Sequence, residues 1–167
     1  MFTLKRISAS GVPAALQKAE RYRLLNDSSA AESICRDIVE VDPENQQALI
    51  VLLLSITDQF PEELGDGLRR AREVLPRLRD EYKRAYYAGI ICERRAKVQR
   101  RQTTPGSGSM AYDSFHEAMA WYEKAESIRP SGNDEAILRW NTCARVLASD
   151  DHLRPRPVEQ YEPVLED

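Results

Sequence analysis

The sequence predicts an all-α fold of about seven helices, and three observations support that prediction. Apolar residues recur at helical spacing, as at Ala31, Ile34, Cys35 and Ile38. The helix formers Ala, Leu, Glu and Arg dominate the composition, and only 7 of the 167 residues are Gly, which favours helix over sheet. No segment shows the alternation of apolar and polar residues that is typical of a half-buried strand.

Capping signals place the helix boundaries. Ser29 and Glu32 form a capping-box pattern, in which each side chain can bond a backbone amide at the start of a helix. Asp42 suits the N-cap of the next helix, and Pro43 suits its first position. The predicted helices cover residues 13–26, 29–41, 43–59, 61–75, 79–101, 110–129 and 133–149.

The remaining segments divide the chain into a core domain and two ends. Residues 1–11 form an N-terminal extension, and residues 12–149 form the helical domain. Within that domain, residues 102–109 read QTTPGSGS and predict a flexible loop. Residues 150–167 form an acidic tail with three prolines, for which we expect extended backbone.

Internal repetition organises the helices. The first helices of successive repeats begin near Val12, Gln46, Tyr82 and Asp134, at spacings of 34, 36 and 52 residues. Each carries a small or packing residue followed by another packing residue three positions later. The four pairs are Ala19 and Tyr22, Leu53 and Ile56, Gly89 and Cys92, and Asn141 and Ala144. The pattern predicts three stacked antiparallel helical hairpins and one capping helix.

These residues resemble the tetratricopeptide repeat (TPR) family, over about residues 12–148. Ala19, Tyr22, Ala31 and Pro43 match the family pattern in the first repeat, and the segment 121–125, WYEKA, matches it in the third. Leu53 at a small-residue position and the insertion in the third repeat depart from it. The resemblance implies a right-handed superhelix whose first helices line a concave face that takes a peptide or a partner helix.

That register names a candidate partner-binding groove with apolar and basic side chains. An acidic protein or peptide with apolar anchors would suit it. The alternative is that Ile50, Leu54 and Ile90 are simply core residues, because a helix that is apolar nearly all round is often buried. The groove residues are Gln47, Ile50, Leu54, Lys83, Tyr86, Ile90, Arg94, Leu138 and Arg145.

Charge is distributed unevenly along the chain. Residues 69–101 hold twelve basic and four acidic side chains, a net charge of +8, which leaves −11 for the rest of a chain of net charge −3. This indicates an anionic partner or attraction between parts of the chain itself. The strongest candidate for an anion-binding site in this stretch is a basic patch. The alternative is that this patch is simply a solvated helix end. The patch comprises Arg94, Arg95, Lys97, Arg100 and Arg101.

Other classes of partner and chemistry find little support. One basic segment in an acidic chain, without a known RNA or DNA motif, argues against nucleic acid. The longest apolar run, 48–54, is too short to cross a bilayer, so we expect no membrane partner. Residues 159–167 of the tail mix acids with apolar residues. They could mediate self-association or be a disordered terminus.

The sequence predicts a protein that is not an enzyme and binds no metal or cofactor. His116 and His152 have no ligand partners at metal-binding spacing. Cys35 and Cys92 occupy packing positions, and an odd number of dispersed cysteines argues against a disulfide framework. We therefore expect a reducing compartment, the cytoplasm.

Overall fold

The computed structural model describes residues 2–157, and every regular element in that range is helical. The prediction of an all-α fold with seven helices is confirmed, and residues 2–157 contain no strand. Short 3-10 helices cover Ala9–Gly11 and Leu75–Arg77. The α-helices are α1 (Val12–Leu24), α2 (Ser28–Val41), α3 (Gln46–Asp58), α4 (Phe60–Val74), α5 (Glu81–Arg101), α6 (Ser107–Ser127) and α7 (Glu135–Ser149).

The helix starts of α2 and α3 differ from the predicted capping. The N-cap of α2 is Asp27, whose carboxylate accepts a hydrogen bond from the Ala30 amide at 3.2 Å. The N-cap of α3 is Asn45, whose side-chain oxygen accepts from the Ala48 amide at 2.9 Å. The observed caps lie two residues from the predicted Ser29 and three residues from the predicted Asp42. Glu32 is consequently released from the predicted capping box.

The predicted flexible loop 102–109 is wrong in its second half. Helix α6 begins at Ser107, so the connection from α5 spans only residues 102–106. Gly106 adopts a left-handed backbone with φ +82°, which a glycine tolerates without strain. The Ser107 hydroxyl donates to the Gln102 carbonyl at 2.8 Å and closes this turn. The long helices α5 and α6 therefore form one extended hairpin.

Each helix packs on the next helix along the chain, and alternate helices also meet. Helix α1 contacts α3, and α3 contacts α5. The most extensive packing is between α5 and α6. A Cβ atom added to Gly89 would lie only 2.5 Å from Cε1 of Tyr122, so the absence of a side chain permits this close approach. One apolar cluster fills the α5–α7 region, and two others fill the region of α1 to α4, one of them extending to Ile91 of α5.

The packed structure continues beyond the predicted domain boundary at residue 149. Leu153 is buried against the α5–α7 cluster. Asp150 pairs with Arg100 of α5 at 2.7 Å, and the His152 carbonyl lies against Gly108 of α6. Residues 150–153 therefore cover the end of the α5–α6 hairpin. The acidic part of the tail singled out above, residues 159–167, lies outside the described residues.

Candidate functional site

The structure divides the nine predicted groove residues by burial. Ile50, Tyr86 and Ile90 are buried in the core, while Leu54 and Arg94 are half-buried. The side chains that remain exposed are Gln47, Lys83, Leu138 and Arg145. The predicted assignment of the three buried residues to an open groove is therefore wrong, and the alternative reading as core holds for Ile50 and Ile90.

The three buried residues face a neighbouring helix instead of solvent. The Tyr86 ring lies 5.9 Å from the Tyr122 ring of α6, and it stacks on Tyr82 at the same distance. Ile50 of α3 shares an apolar cluster with Ile91 of α5, which belongs to the following hairpin. Tyr86 and Ile90 also share a cluster with Ala136 of α7. These helix positions therefore contribute to packing both within and between hairpins.

Leu138 occupies the equivalent position in α7 but stays 63% exposed. It is the fifth residue of its repeat, as Ile50 and Tyr86 are of theirs. Those two residues are 6% and 9% exposed. In the described residues no hairpin follows α7, so nothing covers Leu138. In the predicted repeat register, α7 therefore exposes an apolar position that α3 and α5 bury.

Polar contacts join the first helices of successive hairpins. Gln47 of α3 donates to Glu20 of α1 at 3.0 Å, and Arg23 of α1 pairs with Asp58 of α3 at 2.7 Å. Other contacts link Arg94 of α5 to Asp58 and Arg139 of α7 to Glu93 of α5. Alternate helices are thereby linked in sequence along one side of the array.

The basic patch is largely neutralised within the chain. Arg95 donates to Ser114 at 3.0 Å and pairs with Glu117, while Lys97 pairs with Glu93. Arg94 and Arg100 pair with Asp58 and Asp150, as described above. Among residues 2–157, Arg101 is the one member of the patch without an ion pair. Most of the basic side chains of the patch therefore pair with acidic residues of the same chain.

Sequence reasoning missed Glu93 as a buried acid. It is 1% exposed and accepts a hydrogen bond from the Tyr122 hydroxyl at 2.6 Å, besides its pairs with Lys97 and Arg139. Burial and the Glu93 carboxylate together raise the pKa of Tyr122, which keeps its hydroxyl protonated as a donor. The only local feature of the sequence that indicated an ion pair of Glu93 was Lys97, four residues later on the same helix.

A second buried acid, Glu32, joins the first two hairpins. Its carboxylate pairs with Arg70 of α4 and with Arg36 at 2.6 Å, and it accepts a hydrogen bond from Gln59 at 2.7 Å. Burial alone would raise the pKa of Glu32, but these donors outweigh it and hold the pKa below its usual value. Glu32 therefore stays ionised as a structural centre between α2 and α4.

The three cysteines are packing residues. Cys35, Cys92 and Cys143 are free and buried, and burial raises the pKa of each thiol to about 12. His116 and His152 are exposed. Across residues 2–157, no group of three or more His, Cys, Asp or Glu side chains is arranged to hold a metal ion.

Within the part of the chain that the structure describes, no helix combines the length and apolar character needed to cross a bilayer. Comparison of the chain with protein-family models, with curated proteins and with solved structures finds no match.

Proposed function

We propose that the chain is a non-catalytic protein–protein interaction module, an adaptor or scaffold of TPR-like architecture. Helices α1, α3 and α5 begin at residues 12, 46 and 81, which supports a repeat of 34 to 35 residues. In repeat arrays of this kind, each hairpin contacts its neighbours and leaves an extended surface for partners. Three free cysteines support a reducing compartment such as the cytoplasm.

The observation that carries the proposal is the exposed Leu138. An apolar side chain at a position that is otherwise buried between hairpins offers a partner helix the same packing surface that the next hairpin would use. The rest of that face is polar, with Thr142 and Arg145 following at helical spacing. A partner segment with one apolar anchor and an acidic residue would complement Leu138 and Arg145.

Three further residues of the predicted groove are exposed or half-buried. Gln47, Leu54 and Lys83 lie on the first helices of the second and third hairpins. Arg94 is less available to a partner because it is half-buried and paired with Asp58. The partner is therefore held mainly by apolar contact and shape, with acidic groups directed to Lys83 and Arg145.

Affinity capture from the native cell with Leu138→Glu tests this proposal. We expect the variant to lose the partners that the wild-type chain captures, because a buried carboxylate without a partner opposes docking. Leu24→Glu is the matched control, since Leu24 is 80% exposed on α1. It should capture the wild-type set, and both variants should unfold at the wild-type temperature. Unchanged capture by a folded Leu138→Glu variant would reject the assignment.

A further inference from the structure

One side of α7 is exposed along the whole helix and carries an ordered row of side chains. The exposed residues of α7 are Glu135, Leu138, Thr142, Arg145, Ala148 and Ser149. The first four follow one another at intervals of three or four positions, so they form a single row along the helix. The row begins with an acid, continues with a leucine and a threonine, and then reaches a base.

The two charged residues of this row are available to a partner. Neither Glu135 nor Arg145 forms an ion pair within residues 2–157. Helix α7 holds one other charged residue, Arg139, which is half-buried and already paired with α5. Asp134, just before the helix, lies 3.5 Å from an arginine of the α6–α7 connection. The row therefore offers one acid and one base, with the exposed Leu138 between them.

The row is complementary to itself when a second copy of α7 runs antiparallel to the first. Glu135 and Arg145 lie five positions before and five positions after residue 140, and Leu138 and Thr142 lie two positions before and after it. A two-fold axis at the level of residue 140 therefore sets each acid opposite the base of the other copy. The two leucines are then about 6 Å apart along the helix direction, within reach of each other.

We propose that α7 packs antiparallel on α7 of a second copy of this chain. This pairing rests on the function proposed above, which calls for a partner with one apolar anchor and one acid. A second copy supplies both, as Leu138 and Glu135, at the spacing that Leu138 and Arg145 require. The charges also select the direction, because a parallel pair in the same register would set acid against acid and base against base.

The pairing joins the same surface of both copies, so it closes as a dimer and does not grow further. Its interface is small, and ion pairs at an exposed surface contribute little and weaken with salt. We therefore expect a weak dimer, with a dissociation constant between about 10 µM and 1 mM at low salt.

Charge reversal in the full-length chain tests the pairing by sedimentation equilibrium. Glu135→Arg places two arginines at each end of the paired helices, and Arg145→Glu places two glutamates there. Each variant alone should therefore dimerise at least tenfold more weakly than the wild type. An equal mixture of the two variants restores opposite charges at both ends, so it should form dimers. The double variant restores them within one sequence and should dimerise like the wild type.

The double variant separates association from folding. It combines both substitutions, and with them any cost of a base at the start and an acid near the end of a helix, yet it should associate. Arg21→Glu and Glu40→Arg are the matched controls, because they make the same charge changes at exposed positions of α1 and α2. Both should dimerise like the wild type.

A wild-type chain that stays monomeric up to about 1 mM overturns the pairing, since association weaker than that is not specific binding. A monomeric mixture or double variant also overturns it, because the weakening in the single variants would then not come from opposed charges. Equal weakening in the controls has the same meaning.

These measurements are independent of the capture experiment on Leu138. If the chain is monomeric while Leu138→Glu loses captured proteins, a foreign segment occupies this face, so the pairing is wrong and the proposed function stands. If the charge reversals behave as expected while Leu138→Glu captures an unchanged set of proteins, the pairing stands and the adaptor function is rejected.

Discussion

The Asp58 carboxylate at the C-terminal end of α3 is shared by Arg23 of α1 and Arg94 of α5. Arg94 also donates to the Thr57 hydroxyl at 2.9 Å and the Leu54 carbonyl at 3.3 Å. One acid therefore connects three hairpins, and it does so with an arginine that the sequence alone assigned to partner binding. Arg94 therefore has a structural role, and its effect on the stability of the fold can be measured.

Arg94→Gln should destabilise the fold by roughly 1–3 kcal/mol, because hydrogen bonds to a charged group are lost while Asp58 keeps only Arg23. Asp58→Asn should cost a similar amount. Urea unfolding of both single variants and the double variant gives the coupling energy, which we expect to be at least about 0.5 kcal/mol. Additive effects would show that the pair does not act as a unit.

Gly89→Ala should destabilise the chain by about 1–3 kcal/mol, although alanine is the better helix former. The new methyl group would overlap the Tyr122 ring. Gly65→Ala in α4 is the control, since a Cβ there meets no atom within 4 Å. It should stabilise by up to about 1 kcal/mol. The thermal unfolding temperature should therefore fall in Gly89→Ala and rise in Gly65→Ala. A higher unfolding temperature for Gly89→Ala would contradict the close approach of α5 and α6.

Tyr122→Phe should cost roughly 1.5–3 kcal/mol, because it removes a hydrogen bond to the buried Glu93 carboxylate without changing the shape of the ring. Tyr112→Phe, on the half-buried face of the same helix, should change stability little. Chemical unfolding measures both. Equal effects of the two variants would show that the Glu93 contact contributes nothing specific.

Stability should fall at acid pH through Glu32. Its pKa is lowered in the folded chain from an ordinary value of 4.5, so the carboxylate stabilises the fold above that value. The contribution is lost as pH falls through the lower, folded pKa. Glu32→Gln should lower stability at neutral pH by roughly 1.5–3 kcal/mol and reduce the decline at acid pH.

Unfolding free energies between about pH 7 and pH 3 test this dependence. Glu40→Gln on the same helix is the control, because Glu40 is exposed and has no ion pair within residues 2–157. The Glu40→Gln variant should have the same unfolding free energy as the wild type near neutral pH. If the unfolding free energy of Glu32→Gln declines as steeply with falling pH as that of the wild type, other carboxylates cause the pH dependence.

Truncation after residue 149 should destabilise the chain by about 1.5–3 kcal/mol, the usual contribution of one buried leucine. It removes Leu153 and the Asp150–Arg100 pair. Truncation after residue 157 keeps both and should unfold like the full chain. Matching unfolding curves for the two truncated chains would show that residues 150–157 add no stability.

Local patterns in the sequence predicted the helices well, because apolar periodicity and capping residues act within a few positions. The caps of α2 and α3 shifted to Asp27 and Asn45 because several polar residues compete for each helix start. The groove was harder to predict. At the fifth position of the predicted repeats, Ile50 and Tyr86 are buried and Leu138 is exposed. The difference depends on which helices pack beside each position, and the local sequence does not contain that information.

The ionic centres could not be predicted because their partners are distant along the chain. Glu32 meets Arg70 after 38 residues, and Glu93 meets Arg139 after 46. The sequence showed the excess of positive charge over residues 69–101 and the acid on either side of it. It did not show that most of the basic patch is paired with those acids.

The three buried cysteines can be used to measure local opening of the fold. Cys35 belongs to the cluster of the first two hairpins, whereas Cys92 and Cys143 belong to the α5–α7 cluster. A thiol reagent reaches a buried sulfur only when its surroundings open. Labelling rates of single-cysteine variants therefore resolve the opening of the two halves separately, without any added probe.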